Sequence, residues 1–136
     1  MTAGYSGTPL VQKLGIKPGM RCAVLGPPEH YRDLLIGLPD DVNFVGESAS
    51  GLDFVHLFVR GEDGLMDRLR RLREKIAQNG MIWVSWPKKA AGVRTDLTED
   101  LVRQAGLSAG LVDVKVCAVD EIWSGLKFVI RKADRR

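Results

Sequence analysis

Short apolar runs of strand length alternate along the chain with segments of helical period. Met20-Arg21-Cys22-Ala23-Val24-Leu25 reads as a buried strand stopped by Gly26-Pro27-Pro28. Val42 to Val45 is a second, shorter strand, Asp53 to Val59 a third that is almost wholly apolar, and Met81 to Trp86 a fourth closed by Pro87. Continuous apolar runs of this kind fit strands covered on both faces, as in a parallel sheet.

The intervening segments read as helices. Thr8 is placed to cap a helix over 9–14, with Pro9 in its first position and Gly15 at its end. A second helix runs from about Pro28 to Ile36 and stops at Gly37. Leu65, Leu69, Leu72 and Ile76 form one face of the strongest helix, capped by Asp63 and ended by Asn79-Gly80. Asp96 with Glu99 resembles a capping box and opens a helix through Leu97, Leu101, Val102 and Ala105, ended by Gly106.

The last third changes character. Val112, Val114, Val116 and Ala118 alternate with Asp113, Lys115 and Cys117, and another strand follows Trp123-Ser124-Gly125 over 126–130. A short polar link between two strands predicts an antiparallel hairpin. The expected fold is α/β: a three-layer, Rossmann-like sandwich of about six strands, mostly parallel, with a C-terminal antiparallel hairpin. The expected organisation is a loose N-terminus over 1–8, a single domain over 9–131, and a basic tail over 132–136.

Composition refines this picture modestly. At 136 residues, 45% of them hydrophobic, the chain is long enough to bury a core. The net charge of +3 comes from the tail, where Arg131, Lys132, Arg135 and Arg136 outweigh Asp134. The remainder is balanced, so the charge is no argument for a DNA-binding arm. Cys22 and Cys117 are far apart and sit in apolar patterns, which predicts two buried free thiols rather than a redox pair or metal ligands. No run is long enough to span a membrane, and Met1 to Tyr5 lacks the character of a signal peptide. The expected location is the cytoplasm.

Strands alternating with helices before a closing hairpin is also the order of class I methyltransferases, and local phrases resemble that family. Leu14-Gly15-Ile16-Lys17-Pro18-Gly19-Met20-Arg21 looks like the lead-in to its first strand. Leu52-Asp53-Phe54-Val55 resembles its fourth strand, Asn79-Gly80-Met81-Ile82-Trp83-Val84 its fifth, and Ala105-Gly106-Leu107 the approach to its hairpin. The resemblance implies that a helix and a strand are missing, with only Gly46 to Leu52 bridging the gap. Leu14-Gly15-Ile16-Lys17-Pro18-Gly19, Gly80-Met81-Ile82-Trp83-Val84-Ser85-Trp86-Pro87-Lys88 and Trp123-Ser124-Gly125 further resemble an uncharacterised family of small bacterial domains of unknown function. That likeness implies the fold and no activity.

In such a sheet, ligands bind beyond the carboxyl ends of the strands. S-adenosylmethionine needs glycines in the first loop, where backbone amides approach the ligand. Gly26 is present, but Pro27 and Pro28 remove two N–H donors. Glu47 is placed to meet ribose hydroxyls. Glu29, His30 and Tyr31 follow the altered loop, with His30 read as a surface residue or an acid–base group. Lys88, Lys89 and Arg94 form the best candidate anion site; core packing is the leading reading of Trp86 and Trp123, with partial exposure as an aromatic lip near Lys88 the alternative. Trp83 and His56 are read as core residues. Arg68, Arg70, Arg71, Arg73 and Lys75 read as a solvated helix face, with Asp67 pairing Arg71 and Glu74 pairing Arg70.

The candidate ligand-binding residues are therefore Gly26, Glu29, His30, Tyr31, Glu47, Trp86, Lys88, Lys89 and Arg94, with no catalytic or metal-ligating set. The leading expectation is a non-enzymatic methyltransferase-like domain that binds a small anionic ligand or a protein partner, without a membrane or a specific nucleic acid. The alternatives are a compact S-adenosylmethionine-dependent methyltransferase and a weak nucleic-acid-binding protein.

Overall fold

The computed structural model describes residues 8–136. All but Thr8 of the expected loose N-terminus lies outside the described residues. The strands are β1 (Arg21–Leu25), β2 (Asn43–Phe44), β3 (Leu52–Phe58), β4 (Ile76–Pro87), β5 (Leu111–Ala118) and β6 (Trp123–Ile130). They form one sheet in the order β2-β1-β3-β4-β6-β5. β2, β1, β3 and β4 run parallel, and β6 inserts antiparallel between β4 and β5. This is the expected α/β fold with its closing hairpin.

Helices α1 (Leu10–Leu14), α2 (Tyr31–Leu34), α3 (Leu65–Arg73) and α4 (Glu99–Ser108) complete three layers. Alternation along the strands divides the core in two. Val55, Leu57, Ile82, Val84 and Phe128 pack with Leu65, Leu69, Leu72 and Val102 of α3 and α4. Phe54, Phe58, Met81 and Trp83 pack with Val11, Leu14, Tyr31 and Leu35 around α1 and α2. The central strands are thus buried on both faces, as their unbroken apolar runs imply. Residues 46–51 lead from β2 to β3 without a helix or strand.

Several helix limits differ from the sequence reading. Pro9 stands at the cap position of α1, and no side chain caps that end. Gly15 ends the helix as expected, with φ of 82° and its N–H bonded to Val11 and Gln12 carbonyls. The helix expected from Pro28 to Ile36 contracts to one turn. Tyr31 and Leu35 are buried, but Ile36 remains 80% exposed, so a longer helix would gain no apolar burial. Gly64 rather than Asp63 precedes α3. That helix stops at Arg73 because the sheet claims the following residues: Leu52 N–H bonds Lys75 O, and Ile76 pairs with Leu52.

Thr98, not Asp96, caps α4, accepting from Leu101 N–H at 3.2 Å. The Asp96 carboxylate instead accepts from Glu62 N–H at 3.0 Å and ties two loops together. α4 runs through Gly106 to Ser108, since Gly106 packs against the ring of Phe128. The ion pairs of α3 also differ: Arg70 meets Asp67 at 3.9 Å and Arg73 meets Glu74 at 3.7 Å, all near solvent. Cys22 is buried but Cys117 only partly so. Trp83, Trp86 and Trp123 are all buried, so core packing holds and no exposed aromatic lip forms. At the C-terminus, Arg135 Nε donates to Ile130 O, and Arg136 N–H donates to Gln78 Oε1. Among the described residues, no helix is long and apolar enough to cross a membrane.

Candidate functional site at the carboxyl ends of the strands

The chain leaves β1 toward β2 on one side, while β3 lies on the other. The carboxyl ends of β1 and β3 therefore flank a topological switch point, the usual place for a ligand crevice. Gly26 turns there with φ of 67°, and a Cβ on it would lie 3.1 Å from the Phe58 carbonyl oxygen of β3. Only glycine fits this close approach. Pro27 and Pro28 follow without N–H groups, so the first loop aims few backbone donors at the crevice.

The crevice is crossed by a side-chain bridge. His30 Nε2 lies 2.7 Å from Asp120 Oδ2, joining the loop after β1 to the turn between β5 and β6. Asp120 is buried and held from behind, because its Oδ1 accepts from Ile122 N–H at 2.8 Å and Trp123 N–H at 2.7 Å. His30 is half-exposed. A carboxylate thus orients a histidine over the ends of the intervening strands β3 and β4.

Beneath this bridge a second set of polar groups is sealed in. Tyr31 Oη lies 2.9 Å from His56 Nδ1, and His56 Nε2 lies 2.8 Å from Ser85 Oγ. Burial pushes the Tyr31 hydroxyl above its ordinary range, with Cys22 adding to the rise and Arg32 opposing it. Burial lowers the His56 pKa from 6.5 to about 3, so the imidazole is neutral. The phenol is the stronger donor of the two hydroxyls, so Tyr31 O–H donates to Nδ1, and Nε2–H donates to Ser85 Oγ. Phe58 stacks on His56 with centroids 4.2 Å apart, and Trp123 meets Phe58 edge-on at 5.1 Å. His56 is thus a satisfied core residue, as its apolar strand implied.

Basic residues follow the ends of both β3 and β4. The Arg60 guanidinium, at the end of β3, lies 5.0 Å from the centre of the Trp123 indole. Lys88, at the end of β4, is tied to the 120–123 turn through its backbone, whose N–H donates to Ile122 O at 2.7 Å. Lys89 and Arg94 are exposed farther along the same loop.

Other sequence candidates lie apart. Trp86 is buried on the α3 and α4 side, and Glu47 turns toward Arg68 at 3.6 Å. Glu29 is exposed beside a cavity of about 420 Å³ that also meets Pro28, Tyr31, Arg32 and Phe44. Arg32 caps the Phe44 ring at 4.3 Å. Asp120 was missed by sequence reasoning. Asp120 carries a turn-forming signal, since aspartate readily accepts N–H bonds from the residues after it. Nothing local tied it to His30.

Residues 32–132 match the model of a family described as "Protein of unknown function (DUF3052)". No match is found among curated proteins. Solved structures with a similar fold include a putative methyltransferase of Haloferax volcanii in complex with the Trm112 methyltransferase activator, with a TM-score of 0.67 and 11% identity over 93% of this chain and 89% of that one. A SAM-dependent methyltransferase from Aquifex aeolicus gives 0.63 and 14%, over 90% and 88%. A TehB-like SAM-dependent methyltransferase from Corynebacterium glutamicum gives 0.57 and 10%, over 90% and 85%. At such identities the likeness is one of fold: the chain is a methyltransferase-like domain.

Proposed function

The chain belongs to the DUF3052 family of proteins of unknown function, and on that premise we propose that it is a methyltransferase-like domain that transfers no methyl group and binds a small anionic ligand at the carboxyl edge of its sheet. The observation that carries this reading is the 2.7 Å His30–Asp120 bridge. It spans the place where a methyltransferase would hold its cofactor, and Tyr31 beside it is turned inward onto His56.

S-adenosylmethionine fits these residues poorly. Pro27 and Pro28 cannot donate to its carboxylate, and Glu47, the one acid placed for ribose hydroxyls, faces Arg68. An anion suits the outer rim better, because Arg60 lies against the 120–123 turn and Lys88, Lys89 and Arg94 follow β4 in the loop whose backbone is tied to that turn. Cations converging from separate elements recognise phosphate or carboxylate through charge-assisted hydrogen bonds. The fold also admits a protein partner, since the related Haloferax protein is held by an activator.

Titration with inorganic phosphate and nucleoside phosphates, followed by amide shifts, tests this reading. Shifts confined to 26–31, 60 and 86–94, and lost in the Arg60→Ala/Lys88→Ala variant, are expected. Unmoved amides in those segments would overturn it. Thermal stabilisation by S-adenosylmethionine or S-adenosylhomocysteine would instead restore the enzyme reading.

A further inference from the structure

The hairpin carries a second, strongly charged face that the strand-end site leaves unused. On the side of α1 and α2, a row across the sheet runs from Trp83 of β4 through Lys127 of β6 to Lys115 of β5. The end of α1 covers only the first of these: Trp83 Nε1–H donates to Leu14 O at 2.9 Å. Lys115 Nζ reaches back to within 6.0 Å of the Trp83 ring centre. Cys117, two residues beyond Lys115 and opposite Gly125, is only partly covered, as is Val129.

Five lysines, Lys13, Lys17, Lys88, Lys115 and Lys127, share this area. Burial lowers the Lys127 pKa, and Lys115 and Lys17 lower it further. Burial raises the Cys117 thiol, and Lys13, Lys115 and Lys88 oppose that rise. Neither Lys17, Lys115 nor Lys127 makes an ion pair among the described residues. Two of the hairpin's acids are engaged elsewhere, Asp113 with Arg103 at 3.0 Å on the α4 side and Asp120 with His30, while Glu121 lies exposed in the turn beyond the row. Like charges directly opposite on neighbouring strands destabilise a sheet. The Lys115–Lys127 pair is such a conflict, with no local carboxylate to relieve it.

We propose that this lysine face docks an acidic, extended segment of a partner protein, laid along β5 and β6. Carboxylates alternating along such a segment would sit between lysines on strands about 4.8 Å apart. The half-covered Cys117 and Val129 supply an apolar floor. A single-stranded nucleic acid is disfavoured, because base stacking needs exposed aromatic rings and Trp83 is fully buried.

Binding of a fluorescent oligo-glutamate peptide to the full chain tests the proposal, with Cys117 as a built-in reporter because Cys22 is sealed in the core. The peptide should slow alkylation of Cys117 and shift amides over 112–117 and 125–129. Lys115→Glu/Lys127→Glu should weaken it roughly tenfold at low salt, as expected when two close attractions become repulsions. Lys17→Glu should weaken it by less, and Arg70→Glu/Arg71→Glu on the solvated face of α3 should leave it nearly unchanged. Equal affinity for the Lys115→Glu/Lys127→Glu variant, or unprotected Cys117 at saturating peptide, would overturn the proposal. So would tighter binding of a single-stranded oligonucleotide of equal charge.

Discussion

The Tyr31 hydroxyl lies 2.9 Å from Nδ1 of His56, and this contact turns the residue after His30 away from the crevice and into the core. His56 has its other nitrogen on Ser85, so the imidazole is fully satisfied while neutral. Its folded pKa of about 3 lies below the ordinary value of 6.5. Between those values the unfolded chain binds a proton that the folded chain refuses. The contribution of neutral His56 is therefore complete above pH 6.5 and declines as pH falls toward 3, by about 1.4 kcal/mol per pH unit at most. Urea unfolding at stepped pH should show this slope, and His56→Gln should flatten it. An identical acid slope in that variant would contradict the assignment.

Gly106 and Phe128 make a second prediction. A methyl group on Gly106 would overlap the Phe128 ring, which is itself fully buried. Gly106→Ala should destabilise the fold by about 3 kcal/mol, at the upper end of overpacking penalties, despite alanine's better helix propensity. In Gly106→Ala/Phe128→Leu the two losses should be less than additive, because the smaller side chain makes room. Simple additivity in denaturation would show that the clash is relieved elsewhere.

Asp120 and His30 should separate stability from access. Asp120→Ala strips two backbone N–H groups of their acceptor and should cost about 1 to 3 kcal/mol. His30→Ala removes a half-exposed ring and should cost well under that, while opening the crevice. The checks are unfolding midpoints for both variants and hydrogen exchange at Trp123 N–H. Equal destabilisation by the two substitutions would mean that the bridge, not the turn, is the structural element.

Trp83→Phe leaves the ring's apolar bulk but deletes the donor to Leu14 O. The expected loss is about 1 to 2 kcal/mol, accompanied by faster amide exchange in 10–15, because α1 loses a side-chain bond to β4. Unchanged exchange in that segment would show that apolar packing alone holds α1 to the sheet.

Much of the candidate site was legible as position rather than as geometry. The Gly26-Pro27-Pro28 stop, the end of β4 at Pro87 and the cations after it all follow from strand periodicity and chain order. Whether those residues meet could not be read in the same way. His30 and Asp120 are joined at 2.7 Å across 90 positions, and no local pattern records a partner at that range. Trp86 illustrates the converse: its strand position was clear, but the depth of burial was set by helices packed over it.

The sequence by itself determined the succession of strands and helices, the parallel core and the closing hairpin, because apolar periodicity and turn residues act over a few positions. Tertiary structure alone decided where helices stop and which polar groups pair. Ile76 left a helical stripe for β4 since a backbone ladder with Leu52 satisfies its peptide groups while keeping its side chain buried. Gly106 stayed inside α4 since Phe128 needed the space. In both cases a long-range packing or hydrogen-bonding demand outweighed a local preference worth about 1 kcal/mol or less.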